Sequence, residues 1–226
     1  MKNLFTCGIL AVGIGVCTPR FGQAQGTTTY LTSIGPSVTT QAVGSDSWVA
    51  AAFRTGNNPG GYDLNSIQLE MAAATGQPSG FTVQLYGPAS AEVPNPGSSL
   101  ATLSGSTDPA TAGVYTFTAS DVPLTPDAQY FIVLTSATQT ASGLYAWGLE
   151  NPSSNISSGN DWTEGAVTFQ SSDGSSWSGT YSNDPQFALT ATAVPEPDTI
   201  VLMGLPALLH FAWRRWRANA QPHSAG

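Results

Sequence analysis

The sequence predicts an all-β fold, an antiparallel β-sandwich of jelly-roll type, flanked by an N-terminal signal helix and a C-terminal transmembrane helix. Three observations predict it. Apolar residues recur at every second position through the middle of the chain, turn-prone clusters interrupt them at short intervals, and no long stretch repeats apolar residues at helical spacing. Composition agrees. Charged residues make up only 9 % of the 226, with 24 Gly and 16 Pro. Disorder is the competing reading for so polar a chain, but six Trp, seven Tyr and nine Phe supply the apolar area a core needs.

The first element, residues 1–24, has a basic start at Lys2, an apolar run from Leu4 to Cys17 and then small polar residues. That is the layout of a secretory signal peptide, with cleavage expected between Ala24 and Gln25. A buried core helix and a lipoprotein signal ending at Cys17 are the alternatives. Both cysteines, Cys7 and Cys17, lie in this segment, so the remainder has no thiol for a disulfide, a thiolate metal site or a nucleophile.

Residues 25–193 form the predicted sandwich. "SWVAAAFRTG" is the first clear strand; "NSIQLEMA" then sets Ile67, Leu69 and Met71 on one face, and "FTVQLYG" does so with Phe81, Val83 and Leu85. "GVYTFTA", "AQYFIVLTSA", "GLYAWGLE", "EGAVTFQSS" and "PQFALTATAV" continue the series, to about eight short strands. "YFIVL" is apolar on both parities and is expected to be a central strand covered on both faces. The stretches "TGNNPGGYDL", "GPASAEVPNPGSS", "STDPATAG", "LTPDAQ" and "SSDGSS" read as turns, the last as a tight hairpin at Asp173-Gly174.

Residues 194–218 form the last functional element, followed by a disordered tail at 219–226. Pro195 and Pro197 deny Glu196 helix and ladder bonds and leave it extended. The apolar run 199–213 is 15 residues, about 22 Å as a helix against a hydrocarbon core of about 30 Å, and Pro206 and His210 interrupt it. Trp213 and Trp216 suit the headgroup layer, and Arg214, Arg215 and Arg217 hold the extreme end on the cytoplasmic side.

Between Gln25 and Val194 there are twelve acidic residues and one base, Arg54, a net of −11. A surface of that sign repels phosphate backbones, so nucleic acid is excluded as a partner. Arg54 is expected to pair with a nearby acid. The same stretch has no histidine, cysteine or lysine. A Ser-His-Asp triad, a Cys-His pair, a histidine-ligated zinc site and a P-loop are therefore excluded.

Carboxylates and aromatic rings remain. In "NDWTEG", Asp161 and Glu164 flank Trp162, the residue types of a glycosidase-like pair beside a sugar platform, although sequence spacing does not fix the carboxyl separation. The competing reading makes them turn acids beside a core tryptophan. Trp147, Trp162 and Trp177 are the candidate polysaccharide-contact residues, with core packing as the alternative. No metal ligand set is assigned. "SSDGSSW" lacks the alternating acids and closing Glu of a calcium loop, and Ca2+ held by other loop oxygens stays open.

Val194-Pro195-Glu196-Pro197, the apolar run and Arg214-Arg215 together resemble the PEP-CTERM sorting signal of exopolysaccharide-producing Gram-negative bacteria. The resemblance covers about the last 30 residues. It implies that an exosortase, a membrane cysteine transpeptidase, recognises Pro-Glu-Pro and processes the tail. An ordinary C-terminal membrane anchor is the alternative. A second resemblance covers Ser45 to Leu189: "SWVAAAFRTGNN", "YDLNSIQLEM", "FTVQLYG", Pro-Gly before "SSLATLSG", "LTPDAQYFIVLTSA" and Trp147 are similar to the choice-of-anchor R domain. It implies a surface-displayed β-sandwich and no catalytic activity. The expectation is a non-enzymatic structural or adhesive protein, exported to the outer cell surface or extracellular matrix. Its expected partners are the export machinery, an exosortase, the membrane through its tail, and exopolysaccharide. A carbohydrate-active enzyme and a calcium-stabilised binding module are the rival classes.

Overall fold

The computed structural model describes residues 26–90, 95–105, 107–150, 157–159, 161–180 and 183–195. The signal segment, Glu196, Pro197, the apolar run and Arg214 and Arg215 lie outside the described residues. So do the expected signal helix and transmembrane helix. Among the described residues there is no helix, and none long and apolar enough to cross a membrane.

The described residues form fourteen strands: β1 (Thr28–Thr32), β2 (Thr39–Val43), β3 (Trp48–Arg54), β4 (Tyr62–Gly76), β5 (Thr82–Pro88), β6 (Pro96–Gly105), β7 (Gly113–Leu124), β8 (Gln129–Thr135), β9 (Gly143–Glu150), β10 (Ser157–Ser158), β11 (Thr163–Ser171), β12 (Ser178–Thr180), β13 (Asp184–Pro185) and β14 (Phe187–Ala193). All pairings are antiparallel. The main path runs β10-β1-β14-β4-β7-β6-β5-β8-β3-β11-β12, and β9 pairs with β4, β2 and β13 beside it. The sheet curls into a half-barrel.

Curling sets the inner faces against each other. Val49, Ala51 and Phe53 of β3, Ile132 and Leu134 of β8, and Val83 and Leu85 of β5 share one core with Leu31, Ile67, Leu69, Met71 and Leu189. The alternation expected for "NSIQLEMA" and "FTVQLYG" is what builds it. β8 lies between β5 and β3, as its apolar parities require. Tyr130, Ile132 and Leu134 enter the main core, and Phe131 and Val133 pack on the other face with Ala50, Ala52 and Phe169.

Several expectations are corrected. β4 is 15 residues long and takes in "YDL", which reads as a turn because Gly and Asp surround it. β6 begins within the last four residues of the supposed turn "GPASAEVPNPGSS" and runs on to Gly105. β1 and β2 lie in Thr-rich sequence with no apolar alternation, held by pairing to β14 and β9. The Asp173-Gly174 turn does join a hairpin, β11 to β12, but across residues 172–177 rather than a two-residue loop.

Register defines two poles. Thr28 pairs with Ala191, and Tyr62 with Ala193, so the chain enters and leaves the body at one end. The turn 55–61 and the turn before β8 lie at this exit pole, tied together by Thr55, which donates its hydroxyl to Thr125 O at 2.6 Å. At the opposite, free pole are the loops 44–47, 77–80, 136–142 and 172–177. Ser45 N bonds Thr138 O there, and Thr140 N bonds Asp46 Oδ1 at 2.8 Å.

Candidate functional site

The exit pole is built around Trp162. Its ring stacks between Tyr30 (5.0 Å between centroids) and Phe53 (5.9 Å), with Tyr62 edge-on at 5.0 Å. Those partners come from β1, β3 and β4, so one indole ties together strands far apart along the sheet. Trp162 is fully buried, and its Nε1 has no hydrogen-bond partner among the described residues. Trp147 is equally buried, with Nε1 donating to Gln186 O at 2.9 Å. Neither ring offers a face to a sugar. Trp177 is half-buried and packs on the outer apolar cluster with Ala50, Phe131 and Phe169. The three rings form no common shelf.

Asp161 and Glu164 do not meet in one cleft. Asp161 sits at φ 63°, a left-handed conformation Asp tolerates, and opens into a cleft of about 290 Å3 with Asn57, Asn58 and Tyr62. Glu164 pairs opposite Phe53 and so faces inward. A separate cleft of about 190 Å3 at the β11 bulge reaches it, beside Arg54 and Gln129. Arg54 itself is exposed, and no ion pair to it is present among the described residues.

Glu164 has acid neighbours that its local sequence does not announce. Asp184 and Glu150 form a cross-strand pair of β13 and β9, both buried. Burial first, then the charges of Asp184 and Glu150, push the Glu164 carboxyl up to about 8; the Ser33 hydroxyl, 3.5 Å from Oε1, acts the other way. The single Ser33 hydroxyl proton is also within reach of Phe187 O at 3.3 Å and Pro185 O at 3.4 Å. Glu164 Oε2 has no hydrogen-bond partner among the described residues. The cluster joins residues from three separate strands. Its one local trace is an acid closing "GLYAWGLE", a run apolar on both parities.

Acids at the free pole are treated differently. Asp173 Oδ1 accepts from Ser175 N (2.8 Å), Ser176 N (3.1 Å) and Ser171 Oγ (3.0 Å). Those donors, Ser175 N first, hold its carboxyl well below the usual carboxylate range. The backbone N–H of Thr140 lowers Asp46 similarly. The Asp173 Oδ1 is thus engaged by donors of its own turn. Among the described residues no group of three or more His, Cys, Asp or Glu is placed to hold a metal ion. Between these loops lies a cleft of about 340 Å3 lined by Asp46, Ser47, Gln170, Ser171, Ser172, Ser176 and Ser178. The side chains that line it end in hydroxyls, an amide and a carboxylate.

Of the sorting motif, Val194 and Pro195 are described, and Val194 is held by a collar that sequence reading missed. Val194 N donates to Gly61 O at 3.0 Å, and Asn58 Nδ2 donates to Val194 O at 3.0 Å. A Cβ at Gly60 would lie 2.2 Å from Val194 O, so only glycine lets the exit strand lie this close. Pro195 is exposed just beyond.

No family model matches the chain, and a search of curated proteins finds no match.

Proposed function

We propose that this is an exported protein displayed at the outer cell surface or in the extracellular matrix, with a non-catalytic structural or adhesive role. Its curled sheet is read as a jelly-roll-like sandwich. The segment from Val194 is a PEP-CTERM signal for an exosortase, and residues 199–213 are a short membrane anchor before processing.

The observation that carries this reading is the shared exit of both ends of the body at one pole, with Pro195 two residues beyond the last ladder position, Ala193. A tail held there turns the opposite pole away from the membrane. Its hydroxyl- and amide-lined cleft offers donors and acceptors that suit a neutral polyhydroxyl chain such as exopolysaccharide.

Mass spectrometry of protein recovered from producing cells tests it. The expected form begins at Gln25 and, when an exosortase is present, lacks Arg214 and Arg215. Full-length protein in the cytosolic fraction, shielded from added protease, would overturn the reading. Release of sugar from polysaccharide, abolished by Asp161→Asn, would establish the carboxylate-pair enzyme instead.

A further inference from the structure

Any pull on the tail enters the body through β14, and β14 is an interior strand. β4 flanks it on one side over seven register positions, Phe187↔Leu69 to Ala193↔Tyr62. On the other side β1 pairs with it at four positions between Thr28↔Ala191 and Thr32↔Ala188. Two side-chain ties reinforce the β4 seam: Ser66 Oγ lies 2.6 Å from Thr190 Oγ1, and Thr192 Oγ1 donates to Asn65 Oδ1 at 3.0 Å. At the point of exit, Asn58 and Gly61 grip Val194 from the β4 side alone.

Direction decides what these bonds resist. β14 runs from the free-pole side toward the exit pole. A pull on Val194 against an anchor at the free pole therefore lies along the strand. It loads both ladders and the collar together, since antiparallel ladder bonds stand perpendicular to the strands and shear as a set. A pull that separates the two chain ends acts across the Thr28↔Ala191 pair instead. It opens the β1 ladder one position at a time, on the side of β14 opposite the collar.

We infer that β14 is a load-bearing strand: the body withstands tension between its C-terminal exit and its free pole, and yields when its two ends are drawn apart. The proposed surface display supplies only the source of that tension; the anisotropy itself is a property of the ladders.

Single-molecule force spectroscopy tests it on the full chain carrying Cys7→Ser and Cys17→Ser, which leaves no native thiol. One handle is Pro195→Cys. The second is either Ala141→Cys, exposed in a free-pole loop, or Gly26→Cys, which has open space around it. Forced unfolding reports the barrier along the pulling direction. The 141–195 geometry is expected to unfold at several-fold higher force than the 26–195 geometry. Asn58→Ala should lower the first force and leave the initial peeling event in the second unchanged. Equal forces in the two geometries, or an Asn58→Ala effect of the same size in both, would overturn the inference. The forces are read on purified protein, so finding the protein in the cytosol would defeat the proposed function and leave this result standing.

Discussion

At the free pole, Asp46 and Asp173 sit at the surface with backbone N–H groups aimed at their oxygens. On the inner face, Glu164 has one long hydroxyl contact and two more carboxylates close by. The same functional group is thus stabilised ionised in one region and protonated in the other. The first region spends no core on its acids. The second buries them and relies on a proton to keep the charge down. Loop acids here lock turns; interior acids set a pH window.

The largest expected effect lies at Trp162, two residues before Glu164 on the chain. Trp162→Ala takes away the indole that Tyr30, Phe53 and Tyr62 share, and should cost about 3–5 kcal/mol in chemical denaturation. A loss below about 1 kcal/mol would mean that the strands hold together without it.

Next comes pH. Unfolded, Glu164 titrates near 4.5; folded, near 8. Between those values the native state keeps a proton that the unfolded state has released. Its contribution is therefore complete below pH 4.5 and falls as pH rises toward 8, by at most about 1.4 kcal/mol per pH unit. Glu164→Gln, which mimics the protonated form, should flatten this decline in melting temperature across pH 5–8. A variant whose decline matches the original would place the titrating group elsewhere.

The smallest effect belongs to the free pole, and its sign is reversed. The Asp173 carboxyl is lowered in the folded state, so its contribution is present above the ordinary pKa of 3.8 and is lost as pH falls below it. Asp173→Ala should lower the melting temperature by a few degrees at neutral pH and by less in strong acid. Equal losses at both pH values would show that the turn is held by something other than the ionised carboxylate.

How much of this was readable from sequence follows the range of the interactions. The double parity of "YFIVL" led directly to the central strand β8, because burial on both faces is written in adjacent residues. Alternation in "NSIQLEMA" gave the inward face of β4, although not its length. β1 is a strand because β14 offers a ladder on the far side of the sequence, and nothing in "TTYLT" encodes that partner. β6 is disguised by Pro96 and Gly97, residues that a strand at its first positions accommodates. The candidate site shows the same limit. Trp162 was legible as a core ring or a sugar platform, and packing decided between them. Glu150, Glu164 and Asp184 are distant in sequence; pairing of β9 with β13 joins Glu150 to Asp184, and the approach of β11 to β13 adds Glu164. The Asn58 to Val194 bond spans 136 residues.

The pairing of Thr28 with Ala191 brings the two ends of the body within one strand spacing, about 5 Å. A few glycines joining Ala193 to Thr28 would therefore close the body into a circle, and new ends opened within 139–142 would cut no ladder. By the same geometry the whole unit could be spliced into a surface hairpin of another protein without prying that hairpin apart.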